Sequence, residues 1–345
     1  MGRKTQQNDI TSDELLNQVN PDNLRLKEDF ITYLDSLQRS LKTLNSYSND
    51  IDIFFVWNLQ NNKNKFYIDL TKRDIISFQN YLANINKNSP ARIRRLKATL
   101  SSMSNYVENI LDDEYPNYRN IIRKVENPVN RAVRDKTVFK DEQLEELLNK
   151  LVEKKKYKEA CALSLAMCSG RRKSELTRFK VSYFDDENII YGSLYKTPEE
   201  IETKGRGRGG KPLQVYTLVK EFKPYFDLWM NERKEKGIES QWLFPKKVGS
   251  SYIDEQVDPG TLDTWADIFT RLLDGIPFYW HSLRHYFTTH LSESGIPNNV
   301  IQDIVGWDSA DMCNIYIDTS TDSKLSEYFG DEGIKEVKPK TLADL

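Results

Sequence analysis

The sequence predicts a mainly α protein in two parts, the second of which carries a small antiparallel β-sheet. Three observations lead there. Apolar residues recur at helical spacing through most of the chain. That pattern breaks up between Asp112 and Asp141, where Pro116, Pro128 and the polar run NRAVRDKTVFKDE fall. Strand-like alternation is confined to ENIIYGS and LQVYTL, both in the later half.

Taken in order, residues 1–20 are polar and predict a loose arm. Phe30, Tyr33, Leu34 and Leu37 fall at i, i+3, i+4 and i+7, the stripe of a core-facing helix. A second helix is expected from Leu44 through Trp57 and a third from Thr71 to Ala83, where Thr71 and Asp74 have capping-box spacing. The fourth starts at Ser89-Pro90 and runs through Ile93, Leu96, Leu100, Met103, Tyr106 and Ile110. Beyond the interruption, helices are expected over Asp141–Lys154 and Tyr157–Cys168, the latter stopping at Ser169-Gly170. RRKSELTRF opens another helix, the two strands flank a glycine-rich TKGRGRGGK, and the rest is helical: Leu218–Lys236, Asp258–Leu273, His281–Glu293, Asn298–Val305 and a short element over Cys313–Asp318. The organisation expected is an arm (1–20), a helical domain (21–127), a linker (128–140), a second domain (141–328) and a tail (329–345).

Composition narrows the function. Fifty Lys and Arg stand against 52 Asp and Glu, a net charge of −2, which argues against a uniformly basic chromatin-type binder. Segregated charge still allows nucleic acid, so the placement of the cations decides. Cys161, Cys168 and Cys313 lack metal-site spacing and are too few for an oxidised scaffold, which favours a reducing compartment. No secretory signal and no long apolar run occur, so a cytoplasmic protein with no membrane partner is expected.

Four clusters could carry chemistry. All three histidines, His281, His285 and His290, lie within ten residues, and His281 with Arg284 at i, i+3 can grip a phosphate through an imidazole and a guanidinium fork. The bland alternative is a solvated polar face; a zinc site is conceivable but lacks a zincin Glu or a nearby Cys. Ser169-Gly170-Arg171-Arg172-Lys173 sets three cations at a helix start, against the macrodipole unless an anion docks there, with Glu175 placed to brace an arginine. Lys204, Arg206, Arg208 and Lys211 make the glycine-rich stretch a basic finger; it is not a Walker loop, because Pro212 follows Lys211. In the fourth cluster Trp307, directly after Gly306, precedes Tyr316 by nine residues. Guanidiniums, an ammonium, an imidazole, an indole N–H and a phenol together suit attack of a tyrosine oxygen on a phosphodiester without metal.

In that order the clusters resemble the tyrosine recombinase (phage integrase) family. Gly170-Arg171-Arg172-Lys173-Ser174-Glu175-Leu176 is similar to its first arginine box, and His281-Ser282-Leu283-Arg284-His285 to its His-x-Leu-Arg-His box. Gly306-Trp307 and Tyr316 follow at the family's spacing, and Lys204 is the loosest match. The resemblance spans nearly the whole chain and is closest to the Xer-like two-domain type. It implies a helical core-binding, SAM-like domain followed by an α-rich catalytic domain. It implies Tyr316 as nucleophile giving a 3′-phosphotyrosine, Arg172 and Arg284 as phosphate clamps, His281 and Trp307 as supports, Lys204 as general acid, and no cofactor or metal. Double-stranded DNA and self-association, dimer to tetramer, are the implied partners, in integration or excision for a bacterial or phage-encoded element.

DNA contact is also expected from charge placement. The fourth helix supplies Arg92, Arg94, Arg95 and Lys97, the linker Arg131 and Arg134, the arginine turn Arg171 and Lys173, and the hairpin Arg206, Arg208 and Lys211. Departures from the family pattern also stand out: Asp311, Met312 and Cys313 replace small hydroxyl residues before the tyrosine, and Ile317-Asp318 follows it. They leave a second reading, a sequence-specific regulator of repressor type on the same fold with catalysis lost or unused. A topoisomerase-like relaxing enzyme is the weakest alternative.

Overall fold

In a computed structural model, the structure describes residues 10–129, 137–203, 210–309, 312–313, 329–330 and 333–334. They divide into two compact units, one ending before the undescribed stretch at 130–136 and one beginning after it.

The first unit is helical. A short α1 (Asp13–Leu16) replaces part of the loose arm expected there, because Ser12 caps it by accepting from the Leu15 N–H. α2 (Pro21–Ser36) starts at Asn20, with Pro21 where a missing N–H costs nothing. α3 (Leu41–Asn61) is capped by Ser40, and α5 (Pro90–Ile110) by Ser89. α4 (Lys72–Asn80) opens on the capping box of Thr71 and Asp74, then widens into a π-helical turn over Tyr81–Ile85. The core stripe holds with one exception: Phe30 and Leu34 are buried, whereas Leu37 is 46% exposed because α2 has ended. Phe54, Phe55, Trp57, Phe78, Leu96, Leu100 and Met103 complete the core.

In the second unit, α6 (Asp141–Glu153) precedes α7 (Tyr157–Ser169), whose Ala160, Cys161, Ala162, Leu163, Leu165 and Ala166 are fully buried. A helix apolar all round belongs at the centre of a core, and α7 packs against α6 and the two later helices α9 (Val219–Glu235) and α11 (Trp280–Glu293). Gly170, at φ +60°, ends α7 in the left-handed conformation. A Cβ there would lie 2.4 Å from Phe287 Cδ1, so glycine is required twice over. The short α8 (Lys173–Leu176) follows at once.

Strands β1 (Ile189–Ile190), β2 (Leu194–Lys196) and β5 (Tyr216–Leu218) form an antiparallel sheet in the order β1-β2-β5. β3 (Ile201–Thr203) and β4 (Lys211–Leu213) pair antiparallel with Thr203 opposite Lys211, flanking the undescribed residues 204–209. A hairpin that the sequence pattern does not predict, β6 (Pro245–Val248) with β7 (Ser251–Gln256), precedes α10 (Pro259–Leu272). After α11 comes α12 (Asn298–Val305), capped by Gly306 at φ +71°. A last pair, β8 (Phe329–Gly330) and β9 (Gly333–Ile334), closes the described chain. Among the described residues no helix is long and apolar enough to cross a membrane.

Candidate active site

The site assembles where α7 ends, α11 begins and α12 stops. The Trp280 indole N–H donates to the Leu262 carbonyl at 2.7 Å, pinning the start of α11 to α10. One turn on, Arg284 is completely buried. Its Nη1 donates to the Gly170 carbonyl and its Nη2 to the Val305 carbonyl, each at 2.9 Å. The guanidinium carbon lies 5.5 Å from the centroid of the Trp307 indole, itself 5% exposed. Arg284 therefore joins the arginine turn, the end of α12 and Trp307. The face of α11 that carries Arg284, His285 and Thr288 is buried, so the solvated-face alternative does not hold. His281 is exposed at the helix start, its ring 5.4 Å from that of His285 at 88°.

The two arginines of the turn part company. Arg171 is 1% exposed; its Nε donates to the Ser169 carbonyl at 3.1 Å and its Nη2 to the Ile304 carbonyl at 2.8 Å. Burial lowers its pKa to about 10, which leaves it cationic at neutral pH. Placed at the carbonyl end of α12, that charge favours the helix dipole. Its expected role in DNA contact is thus corrected: the guanidinium faces the interior and is spent on main-chain oxygens. Arg172 is turned outward, its side chain 24% exposed, and Nη1 donates to Glu175 Oε1 at 3.0 Å while Glu175 Oε2 accepts from the Arg172 N–H at 3.1 Å. The bracing glutamate is itself 1% exposed.

Of the other expected contacts, Lys97 is also corrected. It is 3% exposed, and its ammonium donates to Gln79 Oε1 and to the Val125 and Glu126 carbonyls at 2.6–3.0 Å, tying α5 to the chain that follows it. Arg92 and Arg95 meet at Asp50, a residue that no motif or spacing in the sequence marks. Arg94 is exposed and reaches the Pro128 carbonyl at 3.3 Å. Lys173 pairs with Asp263 at 2.7 Å, and Lys211 with Asp308, directly after Trp307, at 2.8 Å. Lys204, Arg206, Arg208, Arg131, Arg134 and Tyr316 lie outside the described residues.

The second unit of this mainly α chain thus gathers buried and outward-facing arginines beside a histidine pair and a tryptophan. The model of the phage integrase family matches residues 137–322, more than half of the chain, and that of the phage integrase N-terminal SAM-like domain matches residues 26–117. The chain belongs to the phage integrase family. It is 27% identical over 261 residues to the SPbeta prophage-derived recombinase-like protein YomM of Bacillus subtilis (strain 168), covering 75% of this chain and 74% of that one. It is 26% identical over 301 residues to the tyrosine recombinase XerA of Pyrococcus horikoshii, covering 87% and 90%. Among solved structures, the XerH site-specific recombinase bound to palindromic difH substrate aligns with TM-score 0.62 at 17% identity over 83% of this chain and 79% of that one. The Tn1549 transposon integrase in complex with circular intermediate DNA aligns with TM-score 0.62 at 17% identity, covering 88% and 98%.

Proposed function

We infer that this chain is a tyrosine site-specific recombinase that cleaves and rejoins DNA through a 3′-phosphotyrosine. The observation that carries this reading is the Arg284 junction, which brings the arginine turn, α11 and Trp307 into one place. In the reaction, the Tyr316 oxygen forms a bond to the scissile phosphorus and the bond to the 5′-oxygen breaks. Arg172, turned outward, donates to a non-bridging oxygen as charge builds in the transition state, where loss of one such donor costs about 10²–10³ in rate. Arg284, buried with Nη1 and Nη2 on the Gly170 and Val305 carbonyls, adds its positive charge and holds the turn that carries Arg172. His281 takes up the phenolic proton and helps hold the phosphate, and Lys204 protonates the departing 5′-oxygen. Attack of a second strand's 5′-hydroxyl on the phosphotyrosine reverses the sequence and releases the tyrosine. The covalent link conserves the bond energy.

The first unit serves as the core-binding domain and the second as the catalytic one, with residues 128–140 as linker. The relatives bound to DNA include a lambda integrase dimer on a core site and a lambda integrase tetramer on a Holliday junction. Dimer-to-tetramer assembly on double-stranded DNA, in the cytoplasm of a bacterial host, is the corresponding reading for this chain. The test begins by capturing the genomic DNA that the protein binds, then offering that site as a nicked suicide substrate. A covalent protein–DNA adduct that Tyr316→Phe abolishes is expected. Tight, site-specific binding with no adduct from the wild-type chain would instead establish a regulator of repressor type.

A further inference from the structure

The first unit contains a charge arrangement that the catalytic reading leaves unused. Asp50, on α3, is 2% exposed. Its Oδ1 accepts from Arg92 Nη1 at 2.7 Å; its Oδ2 accepts from the Thr99 hydroxyl at 3.1 Å and lies 3.4 Å from Arg95 Nε. Arg95 also donates from Nη2 to the Ser46 hydroxyl at 2.5 Å. The side chains of Arg92 and Arg95 remain 27% and 55% exposed, so the anion lies beneath and the cations lie above it. Two guanidiniums share one carboxylate, which leaves an excess positive charge at the solvent side. Without the carboxylate they would repel each other and spread over many rotamers.

We propose that Asp50 is a positioning residue for DNA binding, holding Arg92 and Arg95 as one pre-ordered pair that faces the phosphate backbone of a duplex. The proposal rests on the recombinase reading, which makes DNA the partner. Its physical basis is pre-organisation: a free arginine side chain samples many rotamers, and a fork already fixed loses less freedom on binding. The buried carboxylate also inverts the usual expectation of charge. An acid near a phosphate site weakens binding through space, so its removal should strengthen binding if that were its whole effect. A positioning acid acts in the opposite direction, and the sign separates the two.

The full chain is titrated against a labelled mixed-sequence duplex of about 30 bp, as wild type, Asp50→Asn, Arg92→Ala/Arg95→Ala, and the triple variant, at several salt concentrations below each melting temperature. Asp50→Asn is expected to bind about tenfold more weakly near 100 mM salt, with a log K against log salt slope shallower by about one to two. In the Arg92→Ala/Arg95→Ala background the same substitution is expected to have no further effect. Arg92→Lys/Arg95→Lys, which keeps both charges and leaves Asp50 intact, is expected to weaken binding severalfold and is the deciding measurement where Asp50→Asn does not fold. Wild-type or tighter binding by Asp50→Asn, an equal loss in both backgrounds, or wild-type affinity in the double lysine variant would overturn the role of Asp50. A wild-type chain that leaves both this duplex and every captured genomic fragment unbound would overturn the recombinase reading itself, and this proposal with it.

Discussion

Arg284 donates to the carbonyl oxygen of Gly170 across 2.9 Å, joining residues 114 positions apart in the sequence. The same guanidinium caps the Val305 carbonyl, so one side chain fixes the turn after α7 to the end of α12. Substitutions at this junction, and at a charge that supports the fold, have distinct expected outcomes.

Arg284→Ala leaves two buried carbonyls without their donor, at about 1–3 kcal/mol for each unsatisfied group. The melting temperature should fall by several degrees in a thermal melt, and the covalent adduct should disappear. Arg284→Lys keeps the charge but cannot reach both acceptors with a planar fork, so its stability should lie between those of Arg284→Ala and the wild type, still with no adduct.

Arg171 and Arg172 should separate stability from catalysis. Arg171→Met removes the bonds to the Ser169 and Ile304 carbonyls and should lower the melting temperature, with DNA affinity measured below that temperature unchanged. Arg172→Lys retains a cation beside Glu175 and should melt near the wild type, while adduct formation falls by about 10²-fold or more.

Gly170→Ala introduces a Cβ into a left-handed turn and against the Phe287 ring. Strain and overlap together should cost about 1–3 kcal/mol, read as a lowered urea midpoint. Adding Phe287→Leu should recover part of the loss if the overlap contributes, and none of the backbone strain.

Asp74 should show its effect through pH. Burial raises its carboxyl pKa, but the Lys65 ammonium and the Thr71 N–H and hydroxyl outweigh burial, and the net shift is downward from 3.8. A carboxyl depressed in the folded state stabilises fully above its unfolded pKa and loses that contribution as pH falls through the folded value. The melting-temperature gap between wild type and Asp74→Asn should therefore be constant from about pH 7 to 5 and shrink below about pH 4.

Much of this architecture is legible in the sequence because the helices carry local signals. Ser89-Pro90, the Thr71–Asp74 box and Gly170 each mark a helix end by their own chemistry, and the structure places the ends there. The β6–β7 hairpin is hidden because Lys246, Lys247, Asp254 and Glu255 mask its alternation, and its strands are largely exposed. Arg171 and Lys97 mislead for a related reason: a cation in a basic run looks like a surface charge unless its acceptors are known. Those acceptors are main-chain carbonyls and a glutamine, at positions 79, 125, 126, 169 and 304, which no spacing rule connects. Asp50 gives no sign in the sequence because it lies 42 residues before Arg92, on another helix.

The Arg171 and Arg284 contacts end on backbone oxygens at Gly170, Ile304 and Val305. A carbonyl is present whatever side chain the residue bears, so substitutions at 304 and 305 can alter packing without deleting the acceptor. The junction thus asks for particular residues on the donating side and at Gly170, and for little more than chain path at 304 and 305. An arrangement specified so unevenly can drift far in sequence and stay in register, which gives a physical route by which chains only 17% identical come to share one fold.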